Sequence, residues 1–171
     1  MATIMRRRDL RASATACERA FDFLTTDFGY RHVSTTFREA GFRIDYIGAV
    51  LGVRLDWFRG DPFFVCFVRL ADGDFPPRQD IRPETRLNYI DLANLEDMIG
   101  YERQVHTGDF CALPDDDMAR LVAQSLQSCG SSLLRGDLHQ WDAVEARIKQ
   151  RFRDEIIKHG ALQLGRQLGW L

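Results

Sequence analysis

The stretch FRIDYIGAVLGVRLDWFRGDPFFVCFVRL, residues 42–70, decides the fold. Apolar and polar residues alternate through 42–46 and 51–57, which is the period of a half-buried β-strand. A third, more apolar segment, 63–70, follows the turn-forming residues 59–62. Connections this short favour antiparallel neighbours, because parallel strands need long crossovers. Residues 42–70 therefore predict three strands of an antiparallel meander.

The residues before this stretch predict one more strand and a helix. Residues 30–37 are rich in β-formers and predict the first strand of the meander. Apolar residues at helical spacing predict a helix from Leu10 to Asp27, which Gly29 ends as a glycine just past the helix. We expect residues 1–8 to be flexible.

The residues after the meander predict a helical layer. Helices are expected over 92–99, closed by Gly100, and over 138–159. Between them a helix begins at Asp115-Asp116-Asp117, because carboxylates cap free N–H groups and complement the helix dipole. A cation site is the alternative for these three residues, but successive side chains at a helix start point in different directions. Further predicted segments are loops over 75–84 and 102–114 and a short helix or ordered tail over 160–171.

Together these elements predict one α+β domain spanning residues 1–171. It has an N-terminal helix, a four-stranded antiparallel meander and a C-terminal helical layer, arranged as a two-layer sandwich. The strand at 63–70 is unusual because both of its faces are apolar. Phe63, Val65 and Phe67 lie on one face, and Phe64, Cys66, Val68 and Leu70 on the other. Either the C-terminal segment folds around the sheet, or a partner chain covers one face.

Composition bears on several classes of function. The formal net charge is −2, so the sequence does not have the excess of Lys and Arg with which proteins bind the phosphate backbone. We therefore expect no nucleic-acid partner. No apolar run approaches the roughly 20 residues that span a bilayer, so no membrane partner is expected either. Charged and polar residues follow the basic start MATIMRRR, so we expect no signal peptide, and a cytoplasmic location is the default expectation.

Catalytic signatures are absent from the sequence: there is no phosphate-binding glycine loop, no GxSxG elbow and no HExxH. The nearest metal-ligand cluster is His106, Asp109 and Cys111 in one loop, for which a solvated loop is the favoured interpretation, and no cofactor is expected. The cysteines Cys17, Cys66, Cys111 and Cys129 are widely spaced and predict free thiols. Carboxylates that could act as acid or base from distant elements are Glu18, Glu39, Asp45, Asp56 and Glu96.

Three segments resemble a loose group of small bacterial α+β proteins, some of which look like immunity proteins of toxin–immunity systems. They are 20–30, which closes the first helix, 90–100, and the Leu133-Leu134-Arg135-Gly136-Asp137 break. The resemblance follows the order of elements over most of the chain, and its motifs are helix-end and packing signals. It implies an intracellular bacterial protein that acts by binding, and it carries no catalytic residue.

The sequence therefore favours a protein-binding module without catalytic activity. The predicted contact residues are the outward charges of the strands and the apolar face of the last one: Arg43, Asp45, Arg54, Asp56, Phe63, Val65 and Phe67. For the charged four, ordinary solvent-facing strand positions are the competing interpretation. Two other functions stay open: a homodimer formed through the strands, and a small-ligand binder or enzyme with a pocket between sheet and helices.

Overall fold

The structure is a computed structural model that describes residues 2–58, 63–102 and 116–170. Five strands form one antiparallel sheet in the order β1-β2-β3-β4-β5. They are β1 (Arg31–Arg38), β2 (Gly41–Ile47), β3 (Leu51–Phe58), β4 (Phe64–Arg69) and β5 (Tyr89–Asp91). These described residues also form six helices: α1 (Ala2–Ala20), α2 (Phe23–Thr26), α3 (Leu92–Ile99), α4 (Asp116–Leu134), α5 (Leu138–Lys158) and α6 (Leu162–Gln167). The predicted α+β meander with its helical layer is confirmed.

The prediction of four strands is wrong, because the sheet has a fifth. β5 pairs with β4 through Cys66–Asp91, Phe67–Ile90 and Val68–Tyr89. Its three residues are too few to show a strand period in the sequence. Ile90 is fully buried, which explains why this short segment is held in the sheet.

The first helix begins at Ala2, before the predicted Leu10, and it does not continue unbroken to the predicted end at Asp27. It is two helices, because the chain breaks its helical path at Phe21-Asp22 and resumes as α2. Residues two apart on an unbroken helix do not share a face. Phe21 and Phe23 nevertheless are both buried, with ring centroids 6.0 Å apart, so the break brings both rings into the core. α2 ends at Thr26 with Asp27 as its C-cap, and Gly29, two residues after the cap, has the left-handed φ of 69°.

The remaining helix boundaries follow the predictions closely. Gly100 ends α3 in the left-handed conformation, with φ of 69°. Asp137 caps α5 by accepting a hydrogen bond from the His139 backbone N–H at 3.0 Å. The predicted tail contains α6. Of the three predicted first-turn aspartates of α4, Asp116 and Asp117 occupy that turn and Asp115 lies outside the described residues.

The core lies between the inner face of the sheet and the helices α1, α3, α4 and α5. Fully buried inner-face residues alternate with outer-face residues along β2 and β3, as the sequence predicts. α4 approaches β4 closely at Gly130, where a Cβ would lie 2.5 Å from Cζ of Phe67. No helix in the described part of the chain combines the length and the apolar character needed to cross a bilayer.

Candidate functional site

The four predicted contact charges lie on the outer face of the sheet and form two ion pairs. Arg43 is directly opposite Asp56 in the register of β2 and β3, and its Nε and Nη2 donate to the two carboxylate oxygens at 2.7 and 2.9 Å. Arg54 is opposite Asp45 and donates to it in the same way at 2.8 and 3.0 Å. Each pair satisfies its own charges across the strands, which is the geometry of strong bidentate recognition.

The Arg54–Asp45 pair is also covered by another part of the chain. The Arg54 guanidinium lies 4.3 Å from the ring centroid of Phe75 and donates to Tyr89 Oη at 3.0 Å. Tyr89 in turn donates to the Pro76 carbonyl at 2.6 Å. Burial opposes the charge on Arg54, but hydrogen bonding to Asp45 and its negative charge raise the pKa of the guanidinium. These contacts hold residues 71–88, the cover segment, against the outer face of the sheet.

The cover segment explains the apolar outer face of β4. The Phe75 ring lies over Gly52, where a Cβ would be 2.7 Å from the ring. Beside it, Cys66 and Val68 are buried. The other end of the segment is tied to the helical layer, since Lys149 Nζ donates to the Pro83 carbonyl at 3.0 Å. The chain itself therefore covers the part of this face that contains Cys66 and Val68. The expectation that the C-terminal segment provides this cover is wrong, because the covering residue Phe75 precedes α3.

The structure corrects the assignment of Phe63, Val65 and Phe67 to a partner surface. All three belong to the hydrophobic core, and none is more than 7% exposed. Phe63 packs edge-on against Phe21 of the α1–α2 break at 6.3 Å between centroids. They point inward because β4 presents its odd-numbered residues to the helices, as its register with β3 requires.

β1 forms an exposed edge of the sheet. Six of its eight residues are exposed and two are partly buried, and within the described residues β2 is its only strand partner. Val33 and Phe37 are each 43% exposed. The opposite edge is different, because the three-residue β5 is flanked by the cover segment and contacts α5. An edge strand with free backbone donors and acceptors can pair with another chain.

Sequence reasoning missed this edge. In a meander the first strand lies at the edge of the sheet, so the position of β1 could have been inferred from strand order alone. The alternation in 42–70 drew attention to the central strands, whose charged residues turn out to be paired with each other.

A polar cluster lies at the inner side of β1. The Thr35 hydroxyl donates to Glu18 of α1, and His32 Nε2 lies 3.0 Å from the same hydroxyl oxygen. Because that hydroxyl hydrogen is used for Glu18, the His32 ring supplies the donor in the second contact. The cluster fixes β1 to α1 through side chains and leaves the outer backbone edge of the strand uncovered by described residues.

The three cysteines in the described part of the chain, Cys17, Cys66 and Cys129, are free and buried. Burial raises the pKa of the Cys17 thiol, with further contributions from Glu18 and Asp116, and that of Cys66; both reach about 12. Ser125 donates to Glu96 between α3 and α4, with Cys129 4.0 Å from its hydroxyl oxygen. Buried, protonated thiols are poor nucleophiles.

No group of three metal-binding side chains is assembled within residues 2–58, 63–102 and 116–170. The sequence candidate formed by His106, Asp109 and Cys111 lies outside the described residues. Comparison of the chain with family models, curated proteins and solved structures found no match.

Proposed function

We propose that this protein is a protein-binding module that takes an extended segment of its partner onto the β1 edge. The observation that carries the proposal is the exposed eight-residue edge strand, on which Val33 and Phe37 are each 43% exposed. Addition of a strand to such an edge uses main-chain hydrogen bonds for affinity and side-chain contacts for specificity.

The asymmetry of the two sheet edges supports this proposal. The fold uses a separate 18-residue excursion between Ala71 and Asn88 to cover the sheet near β5. Nothing equivalent lies over β1 in the described residues, although an open edge carries an aggregation risk. An edge kept open despite that risk is typical of a recognition surface.

The resemblance to immunity proteins gives the proposal one specific form, in which the partner is a toxin that the bound module blocks. The paired charges Arg43–Asp56 and Arg54–Asp45 are then structural neighbours of the contact surface and hold β2 and β3 together behind β1. This role differs from the direct contacts that the sequence predicts for them, which stay a prediction.

Two phenylalanines allow a matched test. Phe37 on β1 is 43% exposed, and Phe64 on β4 is 44% exposed. A photo-reactive amino acid at Thr36 would first identify the partner in the native host, and the purified partner would then be titrated with each variant. Completing the burial of an exposed aromatic contributes about 1–2 kcal/mol, so Phe37→Lys should weaken binding about 5- to 30-fold.

The Phe64→Lys variant should bind the partner as the unmodified chain does. Thermal unfolding of both variants checks that they are folded. Equal affinities for the Phe37 and Phe64 variants would show that binding does not use the β1 edge, and would overturn the proposal.

A further inference from the structure

Three arginines follow the β1 edge without an ionic partner in the described part of the chain. Arg31 and Arg38 are exposed at its two ends. Arg11 of α1 lies 5.9 Å from the ring centroid of Phe37. The Glu18 carboxylate is engaged by Thr35, and Glu39 lies in the turn that follows the strand. Arg38 lies 5.1 Å from the ring centroid of Phe58, which leaves its charge without a carboxylate partner among the described residues. The edge therefore carries an arginine without an ionic partner at each end of its exposed backbone.

A β-bulge places the two end arginines on the same face. Residues seven apart in a regular strand lie on opposite faces, but the register shifts between His32 and Ser34. Arg31 is opposite Ile47 and Arg38 is opposite Gly41, two β2 positions that are six apart and share the outer face. The extra residue thus turns Arg31 and Arg38 toward the same side.

This charge pattern disfavours a second copy of the chain as the occupant. Full antiparallel overlap of two β1 strands around a two-fold axis places the first residue of each strand opposite the last residue of the other, so Arg31 of each copy would face Arg38 of the other. Like charges directly opposite one another in a sheet are destabilising. The pattern instead matches a strand with carboxylates at its ends.

We infer that the β1 edge binds an extended acidic segment of a partner protein, with two carboxylates six positions apart that face Arg31 and Arg38. The inference rests on the proposed function and specifies the partner chemistry. Residues between the carboxylates on that face meet Ser34 and Thr36, so small polar side chains fit there. Residues on the other face meet Phe37 and Thr35, so β-branched apolar side chains fit there.

Two synthetic peptides test this inference directly. The acidic probe is acetyl-Glu-Val-Thr-Val-Thr-Val-Glu-amide, and the basic probe replaces both Glu residues by Lys. Binding is followed by changes in the backbone amide NMR signals of β1. Two cross-strand ion pairs of about 0.2–1 kcal/mol each should make the acidic probe bind about 2- to 30-fold more tightly than the basic one.

Charge reversal provides the control. R31E/R38E should reverse the preference, so that the basic probe binds more tightly than the acidic one. R153E/R166E changes the net charge by the same amount at exposed α5 and α6 positions and should keep the original preference. Equal binding of both probes at β1 would overturn the acidic chemistry while leaving edge binding intact. If neither probe changes the β1 signals, both the inference and the proposed edge binding are overturned. If the chain sediments as a dimer formed through β1, the inference of an acidic partner segment is overturned, because a second copy then occupies the edge.

Discussion

Arg54 and Asp45 face each other across β2 and β3, joined by two hydrogen bonds of 2.8 and 3.0 Å, and Phe75 stacks on the guanidinium from above. Their side chains are only 14% and 12% exposed. The neighbouring Arg43–Asp56 pair has the same bidentate geometry but is 25% and 17% exposed. The two ion pairs therefore have the same geometry but differ in how far they are exposed to solvent.

Replacing Arg54 by Met should destabilise the protein more than the same change at Arg43. Loss of one partner of a buried pair leaves an uncompensated charge, here on Asp45, and costs about 3 kcal/mol. The more open Arg43–Asp56 pair should cost about 1 kcal/mol. Urea unfolding of R54M and R43M measures both values. The double variant R54M/D45L removes both charges and should recover most of the R54M loss; equal losses in R54M and R43M would contradict this account.

Phe75 should control the attachment of the cover segment to the sheet. Phe75→Ala removes the ring that lies over Gly52 and Arg54, and we expect local opening of residues 71–88 to become about 10-fold more frequent, which corresponds to about 1.4 kcal/mol. Limited trypsin digestion measures this opening as faster cleavage after Arg78 and Arg86. The matched variant Phe64→Ala removes a ring that is 44% exposed on the same face and should leave the cleavage rate unchanged. Similar rates in both variants would show that Phe75 does not hold the segment.

The elements predicted well from sequence are those whose signal is local. β3 alternates because its outer face carries Arg54 and Asp56 while its inner face is buried, so period 2 is visible in the sequence itself. Gly100 marks a helix end because a left-handed residue is needed there.

The features that escaped prediction depend on contacts distant in sequence. Phe75 sits in a proline-rich loop with no period, and its position over Gly52 follows only from the folded sheet. The two ion pairs were not predicted, but their pairing follows from a short connection in the sequence. The short β2–β3 connection sets a register in which paired residue numbers sum to 99, and this places Asp45 opposite Arg54. The mutual pairing of the four charges could therefore have been derived from the sequence.

Stability should fall above pH 9 because of buried thiols. Burial raises the pKa of Cys17 and Cys66 from 9.0 to about 12, so the folded chain keeps two protons that the unfolded chain releases. The stabilisation from these groups is complete below pH 9 and is lost as the pH rises from 9 toward 12. Each thiol should contribute a loss of about 1 kcal/mol between pH 9 and pH 10.

Urea unfolding of the unmodified chain and of Cys66→Ala at pH 7, 9 and 10 tests this thiol linkage. Other groups that titrate in this range are common to both proteins, so the difference between them isolates Cys66. The variant should lose about 1 kcal/mol less than the unmodified chain between pH 9 and pH 10. Parallel pH curves would show that the buried Cys66 thiol does not contribute.

The close packing of α4 on β4, and not a special backbone conformation, should be the reason why position 130 needs a glycine. In a helix interior, Gly→Ala alone stabilises by about 1 kcal/mol. Here the new methyl group would lie 2.5 Å from Cζ of Phe67, a ring that is fully buried. Overpacking costs about 1–3 kcal/mol, so the net effect of Gly130→Ala should be a loss of about 1 kcal/mol.

A double variant decides between packing and helix propensity, since Phe67→Leu removes the atom that the methyl group would meet. In the Phe67→Leu background, Gly130→Ala should change sign and stabilise the protein by up to about 1 kcal/mol, as it would in an uncrowded helix. Ser128→Ala, at an exposed position of the same helix, reports the effect of helix propensity alone. If Gly130→Ala destabilises equally in both backgrounds, the close approach of α4 to Phe67 is not what excludes a side chain at this position.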